Sequence, residues 1–170
     1  MSVASIILAL VTLQRLGELM LSRYNTRRLL ACGAVEVGAS HYPLIVSLHT
    51  AWLLALWVWG RDQDVNPAAL AAYLVLQGLR LWTLITLGPR WTTRIIVLPG
   101  KPLVAAGPYR FCSHPNYAVV ISEIALLPLA LGLPLTALSF TILNLAVLAL
   151  RIRVEGRALS TFGRLPKRSP

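Results

Sequence analysis

The residues best suited to chemistry form one run, Gly107-Pro108-Tyr109-Arg110-Phe111-Cys112-Ser113-His114-Pro115-Asn116-Tyr117, and one later pair, Arg151 and Glu155. Pro115 fits the first turn of a helix, where its missing N–H costs nothing, with Ser113 or His114 at the cap. A helix start of this kind attracts carboxylates and other anions. Capping accounts for Ser-His-Pro but not for the flanking Tyr109 and Tyr117, each of which brings a hydroxyl and a flat face for a heteroaromatic ligand. Arg151 and Glu155 are four residues apart and share one helix face. They either pair with each other, which is worth about 0.3–0.5 kcal/mol, anchor the helix at an interface, or hold a ligand.

A second set of ionisable residues lies inside apolar runs. Glu18, Arg80 and Glu123 would each cost roughly 2.5–3.5 kcal/mol at the centre of a membrane helix, so they must face the protein interior or a polar cavity. Arg15 and Glu18 are three apart and can neutralise one another. Glu123 has no partner nearby in sequence, which leaves Arg80 as its candidate and makes Glu123 the stronger functional residue. His41 and His49 sit about two turns apart on one face, next to Tyr42. Without a third ligand their spacing points to interhelical hydrogen bonding and not to a metal.

The elements that position these groups belong in a bilayer. Of 170 residues, 56% are hydrophobic and 13% charged, a profile foreign to soluble domains of this size. Apolar runs near 2–22, 43–60, 67–88, 117–132 and 134–151 are long enough for about five transmembrane helices, the last two joined as a hairpin at Leu131-Gly132-Leu133-Pro134. The expected fold class is therefore an all-α integral membrane protein, a single domain over 1–170. The net charge of +10 does not indicate nucleic acid, because the basic residues sit between apolar runs and not along a soluble face. Thirteen of the 16 Lys and Arg follow the first run, precede the fourth or follow the fifth. Arg61, with Asp62 and Asp64, lies on the opposite side, and Arg15 and Arg80 lie within the spans. The positive-inside rule then puts the N-terminus out, and the segment 89–116 and the basic tail 152–170 in the cytoplasm. The first run, with Gln14, Arg15 and Glu18 and no small-residue cleavage site, reads as a retained helix. Cys32 and Cys112 fall on the reducing side and make no metal site. The tail has no Cys for prenylation.

Between Gly88 and Tyr117, prolines at 89, 99, 102, 108 and 115 and glycines at 88, 100 and 107 rule out a continuous helix. Irregular backbone at membrane depth must be buried in protein or line a cavity. The segment is thus either a cytoplasmic-face pocket or an ordinary surface connection.

Taken in order, Leu103-Val104, Gly107, Tyr109, His114-Pro115-x-Tyr117 and Arg151-x-x-x-Glu155 resemble the isoprenylcysteine carboxyl methyltransferase family over roughly residues 94 to 160. The resemblance implies S-adenosylmethionine as cofactor, released as S-adenosylhomocysteine, bound at the cytoplasmic face, with a lipid-like acceptor entering from the bilayer. Carried over by position, the cofactor contacts fall on Lys101, Pro102, Leu103 and Val104, on Tyr109, on His114, Pro115, Asn116 and Tyr117, and on Glu155, while Arg151 faces the acceptor. Arg151, Glu155 and His114 are the implied catalytic residues, His114 more as a binder than as a base. Glu123, Glu18, His41 and His49 are candidates for the acceptor side. Two positions depart from the family: Ser113 stands where Arg is usual before His-Pro, and Gly156 replaces a second Glu. In the N-terminal half, Arg15-Leu16-Gly17-Glu18-Leu19, Ser22-Arg23-Tyr24-Asn25, Gly33-Ala34-x-Glu36-x-Gly38 and His41-Tyr42-Pro43 are similar to bacterial members that accompany type III polyketide synthases. That likeness implies O-methylation of an alkylpyrone or a phenolic lipid such as an alkylresorcinol in the bacterial cytoplasmic membrane, with membrane lipids and a synthase as partners. Methyl esterification of a prenylated cysteine-like carboxylate is the alternative within the family. Outside it stand a small transporter, which would use Glu18, Arg80 and Glu123 as a polar path but lacks the expected internal repeat, and a non-catalytic scaffold, which would leave the Tyr-His-Tyr cluster without a ligand.

Overall fold

The computed structural model describes residues 2–162. Its helices are α1 (Val3–Ala31), α2 (Tyr42–Trp59), α3 (Pro67–Leu87), α4 (Pro115–Ala130) and α5 (Pro134–Phe162). Among the described residues, four of these segments are long and apolar enough to cross a membrane, α2 together with the turn before it; α4 is a shorter apolar helix. The all-α reading needs one addition: β1 (Val35–Val37) pairs antiparallel with β2 (Ile95–Val97).

The two longest helices outrun the apolar stretches that suggested them. Helix α1 has 29 residues, which at 1.5 Å per residue exceeds a hydrocarbon core of about 30 Å, so its polar end, from Ser22 on, extends beyond the apolar run. No Pro falls within it and Gly17 stays helical, so the first break comes at Gly33. There φ turns to +83°, and Ala34 and Gly33 donate to the carbonyls of Leu29 and Leu30, both at 3.0 Å. That is a Schellman stop, which satisfies the last carbonyls. The same device makes the α4–α5 hairpin, with Gly132 at φ +67° and Leu133 and Gly132 donating to Pro128 and Leu129. Helix α5 runs on to Phe162, so Arg151 and Glu155 sit within a continuous helix. Arg164, Lys167 and Arg168 of the expected tail lie outside the described residues.

Helix α3 starts at Asn66, whose Oδ1 accepts from the backbone of Ala68 and Ala69, and Asn66 N–H donates to Ala130 at 2.8 Å. This joins the start of α3 to the end of α4. Nearby, Leu8 and Val11 of α1, Trp52 and Leu56 of α2, Tyr73 of α3, and Ile124 and Leu127 of α4 form the apolar core.

Closer to the other end of the bundle, a layer of charge binds α1, α3 and α4. Arg80 donates through Nε and Nη2 to both oxygens of Glu18 and through Nη1 to Glu123 at 2.6 Å. Arg15 bridges the same two carboxylates at 3.2 and 3.0 Å. Gln14 donates to Glu18 and to Gln77, and Gln77 to Glu123, at 2.8–3.0 Å. Two guanidiniums and two carboxylates cancel, and the glutamines occupy further lone pairs, the condition under which charge is tolerated away from water. Arg15 therefore does more than neutralise Glu18, since it also reaches Glu123.

Arg80→Leu leaves two buried carboxylates with half their partners, and is expected to cost on the order of 3–5 kcal/mol. Gln77→Leu, which removes no charge but takes one hydrogen bond from the Glu123 carboxylate and one from Gln14, should cost less, about 2 kcal/mol. Thermal unfolding of the purified protein in detergent measures the ranking; equal losses would mean the charges are not what holds α1, α3 and α4 together.

Candidate active site

The irregular segment after α3 is pinned to the projecting end of α1. Asn25 Nδ2 donates to the carbonyls of Trp91 at 2.8 Å and Gly88 at 3.3 Å. Ser22 Oγ accepts from Thr93 N–H at 2.8 Å and shares a hydrogen bond with Thr93 Oγ1 at 2.7 Å. Tyr42 of α2 reaches the same Thr93 hydroxyl at 3.1 Å, and Arg151 of α5 donates through Nη2 to the Thr93 carbonyl at 2.9 Å. One threonine thus gathers three helices. Just before β2, Arg94 donates to Glu36 of β1 at 2.6 Å and lies over the Tyr42 ring at 4.2 Å. Further along, Arg90 holds the Pro102 carbonyl at 2.8 Å. Gly107, at φ +55°, lies so close to Thr86 and Trp82 that a Cβ would collide with the threonine side chain; only glycine fits there.

Helix α4 begins at Pro115 with His114 in the N-cap position, but no side chain caps it. The expected capping role of Ser113 or His114 is not taken up. Instead the His114 ring stacks on Tyr117, centroids 5.3 Å apart and planes 13° from parallel. Tyr117 donates its hydroxyl to Glu155 Oε2 at 2.8 Å, and the Arg151 guanidinium lies 6.0 Å from the Tyr117 ring centre. Arg151 and Glu155 do not pair with each other, because each is engaged elsewhere, by Thr93 and by Tyr117. Arg151 is buried and its Nε has no partner. Burial, then the nearby Glu155 carboxylate and Cys112 thiol, push the Tyr109 hydroxyl up to about 12, so it stays a neutral donor at physiological pH.

These groups edge a cavity of about 790 Å³. Lys101, Pro102, Leu103 and Val104 line it, as do Tyr109, His114, Asn116 and Tyr117, and Arg151 and Glu155 from α5. Pro115 is buried in the first turn of α4 and stands outside the wall. From this polar rim the cavity runs between α1 and α2 to Thr12, Leu53 and Trp57. His49 and Glu18 line its inner part; Glu18 has both oxygens engaged in the ion layer. Two expected acceptor-side residues fall elsewhere. Glu123 is wholly buried behind Arg15 and Arg80, and His41 sits beside Gly38, its Nδ1 buried without a partner.

Thr93, Arg94, Glu36 and the buried Trp91 were not anticipated as part of the site. The signal available was weak: a lone Trp among polar residues, and two short triplets rich in β-branched residues, Val35-Glu36-Val37 and Ile95-Ile96-Val97, separated by two helices.

Comparison with known proteins bears on the same region. A model of the isoprenylcysteine carboxyl methyltransferase family matches residues 69–161, which takes in most of the cavity rim. The chain is 38% identical over 162 residues to the uncharacterized protein YpbQ of Bacillus subtilis, covering 92% of this chain and 96% of the relative. It is 26% identical over 152 residues to an uncharacterized protein of Haemophilus influenzae, covering 86% and 88%. No solved structure matches.

Ser22→Ala removes the side chain that holds both the amide and the hydroxyl of Thr93, at a cost of about 1 kcal/mol. Hydrogen exchange should accelerate over residues 91–97 while the core helices keep their protection. Unchanged exchange there would show that Tyr42 and Arg151 suffice to place the segment.

Proposed function

Because this chain belongs to the isoprenylcysteine carboxyl methyltransferase family, we propose that it is an S-adenosylmethionine-dependent O-methyltransferase whose acceptor is a lipophilic hydroxyl compound, an alkylpyrone or phenolic lipid of the kind type III polyketide synthases make. Membership already makes it an integral membrane methyltransferase. The observation that carries the finer reading is the single cavity with two kinds of wall. Its rim is polar and aromatic, while its interior, from Leu53 to Trp57, is largely apolar.

The rim fits the cofactor on its own chemistry. The stacked faces of His114 and Tyr117 suit a purine, the Glu155 carboxylate suits a sulfonium or an ammonium, and the start of α4 with Lys101 suits a carboxylate. When bound, the sulfonium supplies an electrophilic methyl group. The protein then has to align the acceptor, exclude water and favour an oxygen anion, with no covalent step of its own. Tyr117 fixes Glu155 by donating to it, and Tyr109 contributes a neutral hydroxyl donor. Arg151, held by Thr93 with its Nε left free, orients the acceptor oxygen and stabilises its phenolate or enolate, a contribution of several kcal/mol in comparable sites. A hydroxyl acceptor suits Arg151, whose Nη2 is committed to the Thr93 carbonyl while Nε is without a partner, an arrangement that favours a single oxygen over a bidentate carboxylate. The charge distribution along the sequence supports a rim facing the cytoplasm in a bacterial cytoplasmic membrane. A type III synthase is the partner this reading calls for.

Calorimetry on the detergent-purified protein should show saturable binding of S-adenosylmethionine and S-adenosylhomocysteine, lost in Glu155→Ala and weakened at least tenfold in His114→Ala; a folded wild type that binds neither would discard the reading. Given the cofactor, an alkylpyrone or alkylresorcinol should be methylated in preference to a prenylcysteine analogue. Cys32 and Cys112 are exposed, so a membrane-impermeant maleimide should label both in inverted vesicles and neither in intact cells. Labelling in intact cells would reverse the orientation.

A further inference from the structure

Two polar groups in the inner cavity have no work in the mechanism above. His49 Nδ1 lies 2.9 Å from the carbonyl oxygen of Ile45. A carbonyl only accepts, so Nδ1 carries the proton and Nε2 keeps its lone pair. His49 lines the cavity with a ring nitrogen able only to accept. Arg15 lines it too, and its Nε–H is buried and unpartnered although both Nη atoms are engaged by Glu18 and Glu123. A buried donor left empty costs free energy unless something fills it. A carbonyl oxygen would satisfy only Arg15, and an ammonium only His49. A hydroxyl satisfies both, accepting from Arg15 and donating to His49.

The depth of the pair sets what can carry that hydroxyl. Tyr42, which meets Arg151 at Thr93, is seven residues before His49 on α2, about 10 Å along the helix axis. An aromatic ring with two oxygens in a 1,3 relation, hydrogen-bonded outward at each, spans about the same 10 Å. Between the two levels the wall is apolar, formed by Ile45 and Val46 of α2, Val120 of α4 and Leu148 of α5, which suits the faces of a ring.

We propose that Arg15 and His49 form a second oxygen station, selecting acceptors whose ring carries a second hydroxyl meta to the one presented at Arg151. The proposal rests on the acceptor reading above for the class of molecule, but its test does not depend on methyl transfer. His49 bonds only to its own helix, so replacing it leaves the bundle intact.

The probes are a 5-alkylresorcinol, its mono-O-methyl ether and a 3-alkylphenol of equal chain length, titrated into the protein in nanodiscs without cofactor, with quenching of the cavity tryptophans Trp52 and Trp57 as the readout. The resorcinol should bind about tenfold more tightly than the phenol, with the ether no better than the phenol, since its second oxygen has no proton for His49. In His49→Ala the resorcinol should fall to the level of the phenol while phenol affinity stays unchanged. His49→Gln, which restores an acceptor, should recover part of the difference. Equal affinities in the wild type, a preference that survives in His49→Ala, or no saturable binding at all would overturn the proposal. Failure of the methyltransferase reading would show separately, as absent cofactor binding.

Discussion

The layer of Arg15, Glu18, Arg80 and Glu123 is the constraint on which the rest of the molecule depends. In a bilayer, apolar side chains gain little by choosing one another over lipid tails, so burial alone does not fix how helices pair. Charge does. Arg80 holds one carboxylate from α1 and one from α4, and with Arg15 bridging the same two carboxylates this arrangement leaves all four charges compensated. The layer also shapes the cavity, because Arg15, Glu18 and Arg80 face it while Glu123 lies behind them. The same salt bridges that secure α1, α3 and α4 thus provide a polar wall within an otherwise apolar chamber.

The rim depends on a different kind of constraint. The segment from Gly88 to His114 has only two short 3-10 turns, Gly88–Arg90 and Gly107–Arg110, so most of its amides and carbonyls need partners from elsewhere. They are met by Ser22 and Asn25 on the projecting end of α1, by Arg151 on α5 and by the short pairing of β1 with β2. Each of these partners also places a group at the rim. Arg151 is steered by Thr93, and Glu155 is left free of Arg151 to receive Tyr117. The length of α1 and α5 beyond the hydrocarbon is therefore functional: the extra turns of α1 carry the anchors of the loop, and those of α5 carry the carboxylate.

The wall of the cavity changes along its length. Near the rim the walls are aromatic and charged; between α1 and α2 they become leucine, isoleucine and tryptophan. Such a gradient suits an amphipathic molecule that stays partly in lipid while its polar end reaches the rim, where charge stabilisation away from water is stronger than in solvent.

The sequence alone determined the solvent, the helices and the polar end of the bundle, because these follow from local quantities: apolar run length, the placement of Gly and Pro, and the distribution of Lys and Arg. The hairpin at Gly132 and the non-helical stretch between Gly88 and Tyr117 were legible for the same reason, as was the motif from Tyr109 to Tyr117. Only the tertiary structure decided which charges meet. Glu123 is 43 residues from Arg80 and 108 from Arg15, and no local pattern distinguishes a glutamate neutralised in a bundle from one that lines a cavity. Arg151 and Glu155 look like a pair by spacing, yet the better partners, Thr93 and Tyr117, come from distant segments. Thr93 itself carried no signal, since a threonine in an irregular loop acquires its role only when three helices converge on it.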